Sequence, residues 1–113
     1  MKNVLILEDD PLLASSMALV VEDSLDCHVC LAAGVSEAMP LIDDGLEFAL
    51  LDVDVSDGQS FPLAALMMER KIPCLFVSGS DPSRVPSDLA SIPFLRKPVP
   101  ADMLITAMRE RLS

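Results

Sequence analysis

The sequence has few basic residues: 8 lysines and arginines stand against 18 aspartates and glutamates, for a formal net charge of −10. Proteins bind nucleic acid largely through lysines and arginines that release counterions from the phosphates. A chain this acidic is therefore a poor partner for DNA. Long apolar runs are missing too, since none approaches the roughly 20 residues that cross a bilayer. Met1-Lys2-Asn3 leads into a strand-like run without the layout of a signal peptide. We therefore expect a cytoplasmic protein that binds neither nucleic acid nor membrane.

An even set of cysteines is also missing. Cys27, Cys30 and Cys74 are three in number, whereas structural disulfides usually come in pairs. Cys27 and Cys30 have the spacing of a redox or zinc motif, but residues three apart in a strand point to opposite faces, and no second ligand pair completes a zinc site. We expect reduced, buried thiols. We interpret His28, the only histidine, as structural rather than as a phosphodonor or metal ligand.

Short apolar runs alternate with helix-like segments along all 113 residues, a length that suits a single domain. Helices are predicted after Pro11, over about 36–43, over 61–70, and at the end of the chain. Pro82, Pro86 and Pro93 leave room only for a short turn around 87–91. Runs of about four to eight apolar residues are typical of buried strands, and five are predicted: 2–7, 27–32, 46–51, 74–77 and 94–95. This alternation indicates an α/β fold with a parallel sheet.

Acidic residues follow two of these strands. Glu8 and Asp9 come directly after the first, and Asp52 and Asp54 after the third. In open α/β sheets the ligand lies beyond the carboxyl ends of the strands, where clustered carboxylates repel one another unless a cation lies between them. Lys97, after the fifth strand, supplies the opposite charge. The pattern predicts a phosphoryl or metal site.

Four motifs in this order are similar to those of the response regulator receiver domain, the CheY-like fold of two-component signalling. They are VLILEDDPLL, ALLDVDVSDG, FVSGS and FLRKP. The resemblance spans residues 1–113 as one receiver domain. It implies a doubly wound, flavodoxin-like sheet of strand order 2-1-3-4-5. The short segment between Ser78 and Lys97 resembles that of the stand-alone receivers called FATGUY proteins, and implies a short or irregular fourth helix.

The resemblance also implies a role for each matching residue. Asp52 is the expected phosphoacceptor, and Lys97 and Ser78 are expected to contact the phosphoryl group. Mg²⁺ is expected to bind Glu8 and Asp9, directly or through water, together with Asp52 and the backbone carbonyl of Asp54. We expect the Asp54 side chain to be solvated. Ser78 and Phe94 match the two switch positions. The Lys97–Pro98 peptide bond is expected to be cis.

The expected function is acceptance of a phosphoryl group from a histidine kinase or a histidine phosphotransfer protein. No output domain follows in this sequence, so signalling is expected to run through a protein partner, although the chain could also be part of a longer hybrid protein. At most, self-phosphorylation and self-dephosphorylation are expected as activities. Two alternatives stay open. Asp52-Val53-Asp54 also resembles the D-x-D motif of haloacid dehalogenase-type phosphatases, and a receiver-like interaction module needs no phosphorylation.

The position of Asp10 allows two interpretations of its role. Either Asp9 or Asp10 is expected to cap the first helix, where Pro11 suits the first turn because its missing N–H costs nothing there. Asp10 could instead add to the acidic metal-binding patch. A capping side chain faces the helix, so the two roles would place its carboxylate differently.

Overall fold

Residues 1–112, which the computed structural model describes, form seven strands and four α-helices. The strands are β1 (Lys2–Leu7), β2 (Cys27–Ala32), β3 (Phe48–Leu51), β4 (Asp54–Val55), β5 (Gly58–Gln59), β6 (Cys74–Ser78) and β7 (Phe94–Arg96). The helices are α1 (Pro11–Ser24), α2 (Val35–Ala38), α3 (Phe61–Glu69) and α4 (Ala101–Leu112). None of the helices in this range is long and apolar enough to cross a membrane.

Five of the strands form one parallel sheet in the order β2-β1-β3-β6-β7. The predicted order, second-first-third-fourth-fifth, is confirmed. The register aligns Leu7 of β1 with Leu51 of β3, and Ser78 of β6 with Arg96 of β7. Because all five strands run the same way, the residues at or just after their carboxyl ends share one edge of the sheet.

Helices cover both faces of this sheet, which explains why its central strands are apolar at every position. On β1, Val4 and Ile6 pack in the core that α1 and α4 cover. Leu5 and Leu7 alternate with them and pack in the core under α2 and α3. The doubly wound fold is confirmed. Buried on both sides, β1 and β3 give rigid support to the acidic residues that follow them.

The second helix differs from its prediction. An α-helix was expected over about 36–43, but α2 covers only Val35–Ala38, and a 3₁₀ helix follows over Met39–Asp43. Pro40 lies in the first turn of that 3₁₀ helix. It has no N–H to donate to the carbonyl four residues earlier, so the α-helix cannot continue through it. Gly45, with φ of +77°, follows the segment.

The fourth helix is reduced, as predicted. Between β6 and β7, residues 79–93 contain two 3₁₀ turns, Pro82–Arg84 and Ser87–Leu89, and no α-helix. Asp81 caps the first turn, since its carboxylate accepts the N–H of Ser83 at 2.9 Å. The prolines of this segment remove the backbone donors that a longer helix would need.

A hairpin after β3 is a feature that the sequence prediction missed. The structure forms an antiparallel pair around the Asp57-Gly58 turn, with Asp54 opposite Gln59 and Val55 opposite Gly58. Gly58 has a φ of +136°, which few residues with a side chain adopt. The third strand is also shorter than expected, beginning at Phe48 rather than Leu46.

The cysteines lie in the described part of the chain, and all are free thiols. Cys27 and Cys74 are buried as predicted, whereas Cys30 is partly exposed. Burial raises the pKa of the Cys74 thiol to about 11, which keeps it protonated and unreactive. His28 is exposed on the edge strand β2, so it belongs to neither core.

Candidate functional site

Three carboxylates meet at the carboxyl edge of the sheet. Glu8 and Asp9 follow β1, and Asp52 follows the neighbouring strand β3. One oxygen from each lies within 4.8 Å of the other two. The side chains of Glu8 and Asp52 are only 2% and 10% exposed, and Asp9 is exposed. The three converge as the strand order predicts.

Lys97 is the cation at this site. Its Nζ donates a hydrogen bond to Asp52 Oδ2 at 2.9 Å and also contacts Glu8 Oε1. The backbone N–H of Lys97 bonds the carbonyl of Ser78 at 2.9 Å, which extends the pairing of β6 and β7. The following peptide bond, Lys97–Pro98, is cis as expected. One ammonium therefore bridges two buried carboxylates that are 44 residues apart in the chain.

The cluster contains three carboxylates and one ammonium group. Burial raises the pKa of Glu8, and nearby Asp52 adds to this, although bonds from Lys97 and the Asp10 N–H oppose it. Burial lowers the pKa of Lys97, but the bonds to Glu8 and Asp52 outweigh it, so that this pKa is also raised. Both groups hold their protons more tightly than isolated side chains do. Such a site attracts a further cation.

The donor set fits Mg²⁺. This ion takes oxygen ligands at about 2.0–2.1 Å, usually one or two carboxylates plus waters. Two such bonds span at most about 4.2 Å, so carboxylate oxygens up to 4.8 Å apart need only a small movement or a bridging water. Glu8 and Asp52 are buried and Asp9 is exposed, so one side of the cluster is open to waters.

Both oxygens of Asp52 are oriented by hydrogen bonds. Oδ1 accepts a hydrogen bond from the N–H of Val53 at 2.8 Å, and Oδ2 accepts one from Lys97 Nζ. The backbone N–H of Asp52 itself bonds the carbonyl of Leu7 at 3.0 Å. Val53 is fully buried, so the peptide that follows Asp52 cannot easily shift. The Asp52 carboxylate is held in one orientation before any ligand arrives.

Ser78 ends β6, and Phe94 begins the neighbouring strand β7. Ser78 is 1% exposed, and its Oγ accepts the N–H of Ser80 at 3.2 Å. Phe94 is half-buried on β7 and packs against Phe76, with ring centroids 5.9 Å apart. Their expected switch roles stay predictions.

Asp10 does not belong to the metal cluster. Its Oδ1 accepts the N–H groups of Leu12 and Leu13 at 3.0 and 3.3 Å, so that it caps α1 directly before Pro11. The helix-cap interpretation is the right one, and of the two candidates for the cap it is Asp10 rather than Asp9. Asp9 is thereby free to face the cluster.

The Asp54 side chain is solvated as predicted, since it is 54% exposed, but it also has partners that the sequence did not indicate. Arg84 binds it with both terminal guanidinium nitrogens, at 2.7 Å to Oδ2 and 3.1 Å to Oδ1. Ser80 Oγ donates a third hydrogen bond at 2.9 Å. Bonding to Arg84, and secondarily to Ser80, holds the pKa of Asp54 at about 2. The carboxylate is thus ionised and turned toward the segment between β6 and β7.

Solved structures with the same fold were found by structural comparison. A CheY-like response regulator receiver domain protein from Methanospirillum hungatei JF-1 superimposes with a TM-score of 0.87 at 23% identity, covering 99% of this chain and 94% of that one. The non-phosphorylated HemR receiver domain from Leptospira biflexa gives 0.85 at 23% identity, covering 100% and 95%. No family model and no curated protein matches the sequence.

SdrG from Sphingomonas melonis Fr1 is more similar in sequence. It is 31% identical with a TM-score of 0.82, and the alignment covers 100% of this chain and 98% of SdrG. The chain belongs to the CheY-like response regulator receiver family. Membership of the finer FATGUY-type subgroup stays a prediction.

In this receiver domain, sequence reasoning missed the contacts of the hairpin that follows Asp52 and Val53. Arg84 and Ser80 bind Asp54, and Asp57 in the hairpin accepts the N–H groups of Val35 and Ser36 at 2.7 and 3.0 Å. These hydrogen bonds lower the pKa of Asp57, with the one from Ser36 contributing most. The two partners of each of these hydrogen bonds are more than 20 residues apart in the sequence. Local spacing and periodicity therefore could not predict them.

Proposed function

We propose that this receiver domain accepts a phosphoryl group on Asp52 from a histidine kinase or a histidine phosphotransfer protein, in a reaction that depends on Mg²⁺. One observation carries the proposal. The buried Asp52 carboxylate shares a cluster with Glu8 and Asp9 and is bonded by Lys97 at 2.9 Å. These are the groups that phosphoryl transfer to a carboxylate requires: a nucleophile, metal-binding oxygens and a cation.

The residues of the cluster divide the work. A carboxylate oxygen of Asp52 attacks phosphorus, and the bond from phosphorus to the imidazole nitrogen of the donor breaks, leaving the imidazole on the donor protein. Catalysis of such a transfer is mostly positioning and charge neutralisation. Lys97, a compact ammonium on a flexible stem, can follow the oxygen charge from Asp52 onto the phosphoryl group.

Mg²⁺, when bound, would neutralise the negative charge shared by the acceptor and the incoming phosphoryl oxygens. Glu8, Asp9 and Asp52 would hold it, together with the backbone carbonyl of Asp54. The raised pKa of Glu8, due first to burial, supports a site that gains from added positive charge. Asp9 is exposed and can act directly or through a water molecule.

Phosphorylation is proposed to switch a partner-binding surface. The phosphoryl group brings about −1.5 to −2 charges and three strong acceptors. Ser78 would donate its hydroxyl to one of them and give up the N–H of Ser80 that it now accepts. Phe94, half-buried against Phe76, could then move further inward and change the surface of β6, β7 and α4. Its ring has no hydroxyl, so that the inward position depends on burial alone.

We propose no catalytic activity beyond self-phosphorylation and self-dephosphorylation. In the phosphatase alternative, the second aspartate of the D-x-D motif would act on the leaving group and would need a mobile carboxylate. Three hydrogen bonds from Arg84 and Ser80 hold Asp54 instead. A receiver-like module that is never phosphorylated would need no clustered carboxylates, and this chain has them.

Incubation with a small phosphodonor such as phosphoramidate tests the proposal. Intact-mass measurement should show one added phosphoryl group with Mg²⁺ present, and much less when EDTA removes the metal. Asp52→Asn should abolish the addition, whereas the matched surface variant Asp44→Asn should keep it. Labelling of the Asp52 variant at the wild-type level would refute the assignment of the acceptor.

A further inference from the structure

The contact between Asp54, Ser80 and Arg84, here called the Asp54 clamp, joins two parts of the fold. Asp54 begins the hairpin directly after Asp52 and Val53, and Arg84 ends the 3₁₀ turn Pro82–Arg84. Arg84 Nη1 also donates to Ser80 Oγ at 3.0 Å, so that each of the three side chains contacts the other two. The clamp therefore joins the start of the hairpin to residues 79–93, the segment between β6 and β7 that replaces the expected fourth helix.

Global stability does not explain the clamp well. The side chains of Arg84 and Asp54 are 39% and 54% exposed, and exposed ion pairs contribute little to stability. Its geometry is unusually complete, however, because a fork of two guanidinium bonds fixes direction as well as distance. A contact that contributes little to stability but fixes the orientation of Asp54 is suited to a positioning role.

The clamp also reaches the predicted switch. Ser80, which bonds Asp54 through its hydroxyl, donates its backbone N–H to Oγ of buried Ser78. A continuous chain of hydrogen bonds thus runs from Ser78 through Ser80 to Asp54 and Arg84. A displacement of Ser78 would therefore reach the clamp through Ser80.

We propose that Arg84 is a positioning residue of the phosphoryl site: by clamping Asp54, it orients the backbone carbonyl of Asp54 for Mg²⁺. This inference rests on the proposed function, since it concerns the same site. It makes metal binding and the conformation of residues 80–84 interdependent, because a coupling between two sites acts equally in both directions.

Simple electrostatics predicts the opposite effect. Arg84 carries a positive charge near the cation site, so its removal should strengthen Mg²⁺ binding if charge alone matters. Loss of orientation should weaken binding instead. Ser80→Ala separates the two explanations further, because it removes one bond of the clamp without any change in charge.

Calorimetric titration of Mg²⁺ into the whole domain is the experiment, since the sequence has no tryptophan or tyrosine to report binding by fluorescence. Arg84→Ala should raise the dissociation constant about two- to fivefold, the range that an exposed pair can supply. Ser80→Ala should raise it less, and Arg84→Lys should recover part of the loss. Arg96→Ala removes an exposed arginine outside the clamp and is the charge control, which should bind Mg²⁺ at least as tightly as wild type.

Amide NMR spectra without metal give a second readout. Arg84→Ala should shift the resonances of Val53 and Asp54, whereas Arg96→Ala should leave them in place. Equal or tighter Mg²⁺ binding by Arg84→Ala, or an unchanged affinity for Ser80→Ala, would overturn the positioning role and leave the proposed function standing. A wild-type domain that binds no Mg²⁺ would overturn both. If Arg84→Ala fails to fold, Ser80→Ala and Arg84→Lys still decide the question.

Discussion

Glu8 is the residue at which stability and function conflict most. Its side chain is 2% exposed, and burial raises its pKa. A group whose folded-state pKa is raised supports folding below its unfolded value of about 4.3, and that support is lost as the pH rises through the folded value. At neutral pH without metal, the ionised carboxylate therefore disfavours the folded state. A bound cation would remove this disadvantage.

Glu8→Gln tests this conflict. Without metal at neutral pH, the variant should melt at a higher temperature than wild type, and the difference should shrink as the pH falls toward 4. The same change should weaken Mg²⁺ binding by at least about tenfold, as loss of an ordering group at a metal site commonly does. Thermal melting followed by circular dichroism, with and without Mg²⁺, measures both effects.

Glu110→Gln is the matched control for that measurement. Glu110 is exposed in α4, and its substitution should change neither the melting temperature nor its response to Mg²⁺. A Glu8→Gln domain that is less stable than wild type in the absence of metal would show that the pairing with Lys97 outweighs the cost of burial.

The hairpin β4–β5 is the element that connects Asp52 and Val53 to the surrounding segments. On one side Arg84 and Ser80 hold Asp54. On the other side Asp57 accepts N–H groups at the start of α2, and Ser56 Oγ donates to the carbonyl of Ala33 at 3.0 Å. Two residues per strand could not hold such a ribbon alone. Its position depends on these flanking contacts.

Gly34→Ala should displace the hairpin. A Cβ at this position would lie 2.6 Å from both Asp57 Oδ1 and Ser56 Oγ, so either these side chains must give up their hydrogen bonds to residues 33–36 or the turn must move away. Overpacking of this kind costs about 1–3 kcal/mol, and chemical denaturation should measure a loss of that size. Gly79→Ala is the control, because its Cβ would meet no atom within 4 Å. Equal effects of the two substitutions would contradict the close approach at Gly34.

Elements with an apolar signature could be predicted, and elements held by distant polar contacts could not. Val4–Leu7 and Phe48–Leu51 are buried runs, and such runs identify strands by composition alone. Pro40 lies within the α-helix that the sequence predicted over about 36–43, but the structure forms a 3₁₀ helix there instead, with Ile42 buried in the core. The hairpin has no apolar run of its own, and its position depends on contacts with Arg84 and with the start of α2, which are distant in the sequence.

For the whole molecule, topology is what assembles the site. Glu8, Asp52 and Lys97 are separated by 44 and 45 residues, and only the parallel order of β1, β3, β6 and β7 brings them to one edge. That convergence could be predicted because the strand order follows from the fold. The Asp54 clamp could not, since it depends on the conformation of an irregular segment rather than on the sheet.

The central claim is that Asp52 carries the phosphoryl group. Borohydride reduction of the phosphorylated domain, followed by peptide mass spectrometry, locates an acyl phosphate because it converts the modified aspartate to homoserine. The account predicts homoserine at position 52 and unmodified Glu8, Asp9 and Asp54. Reduction at any other carboxylate, or a phosphoryl group found on His28 or a serine instead, would contradict it.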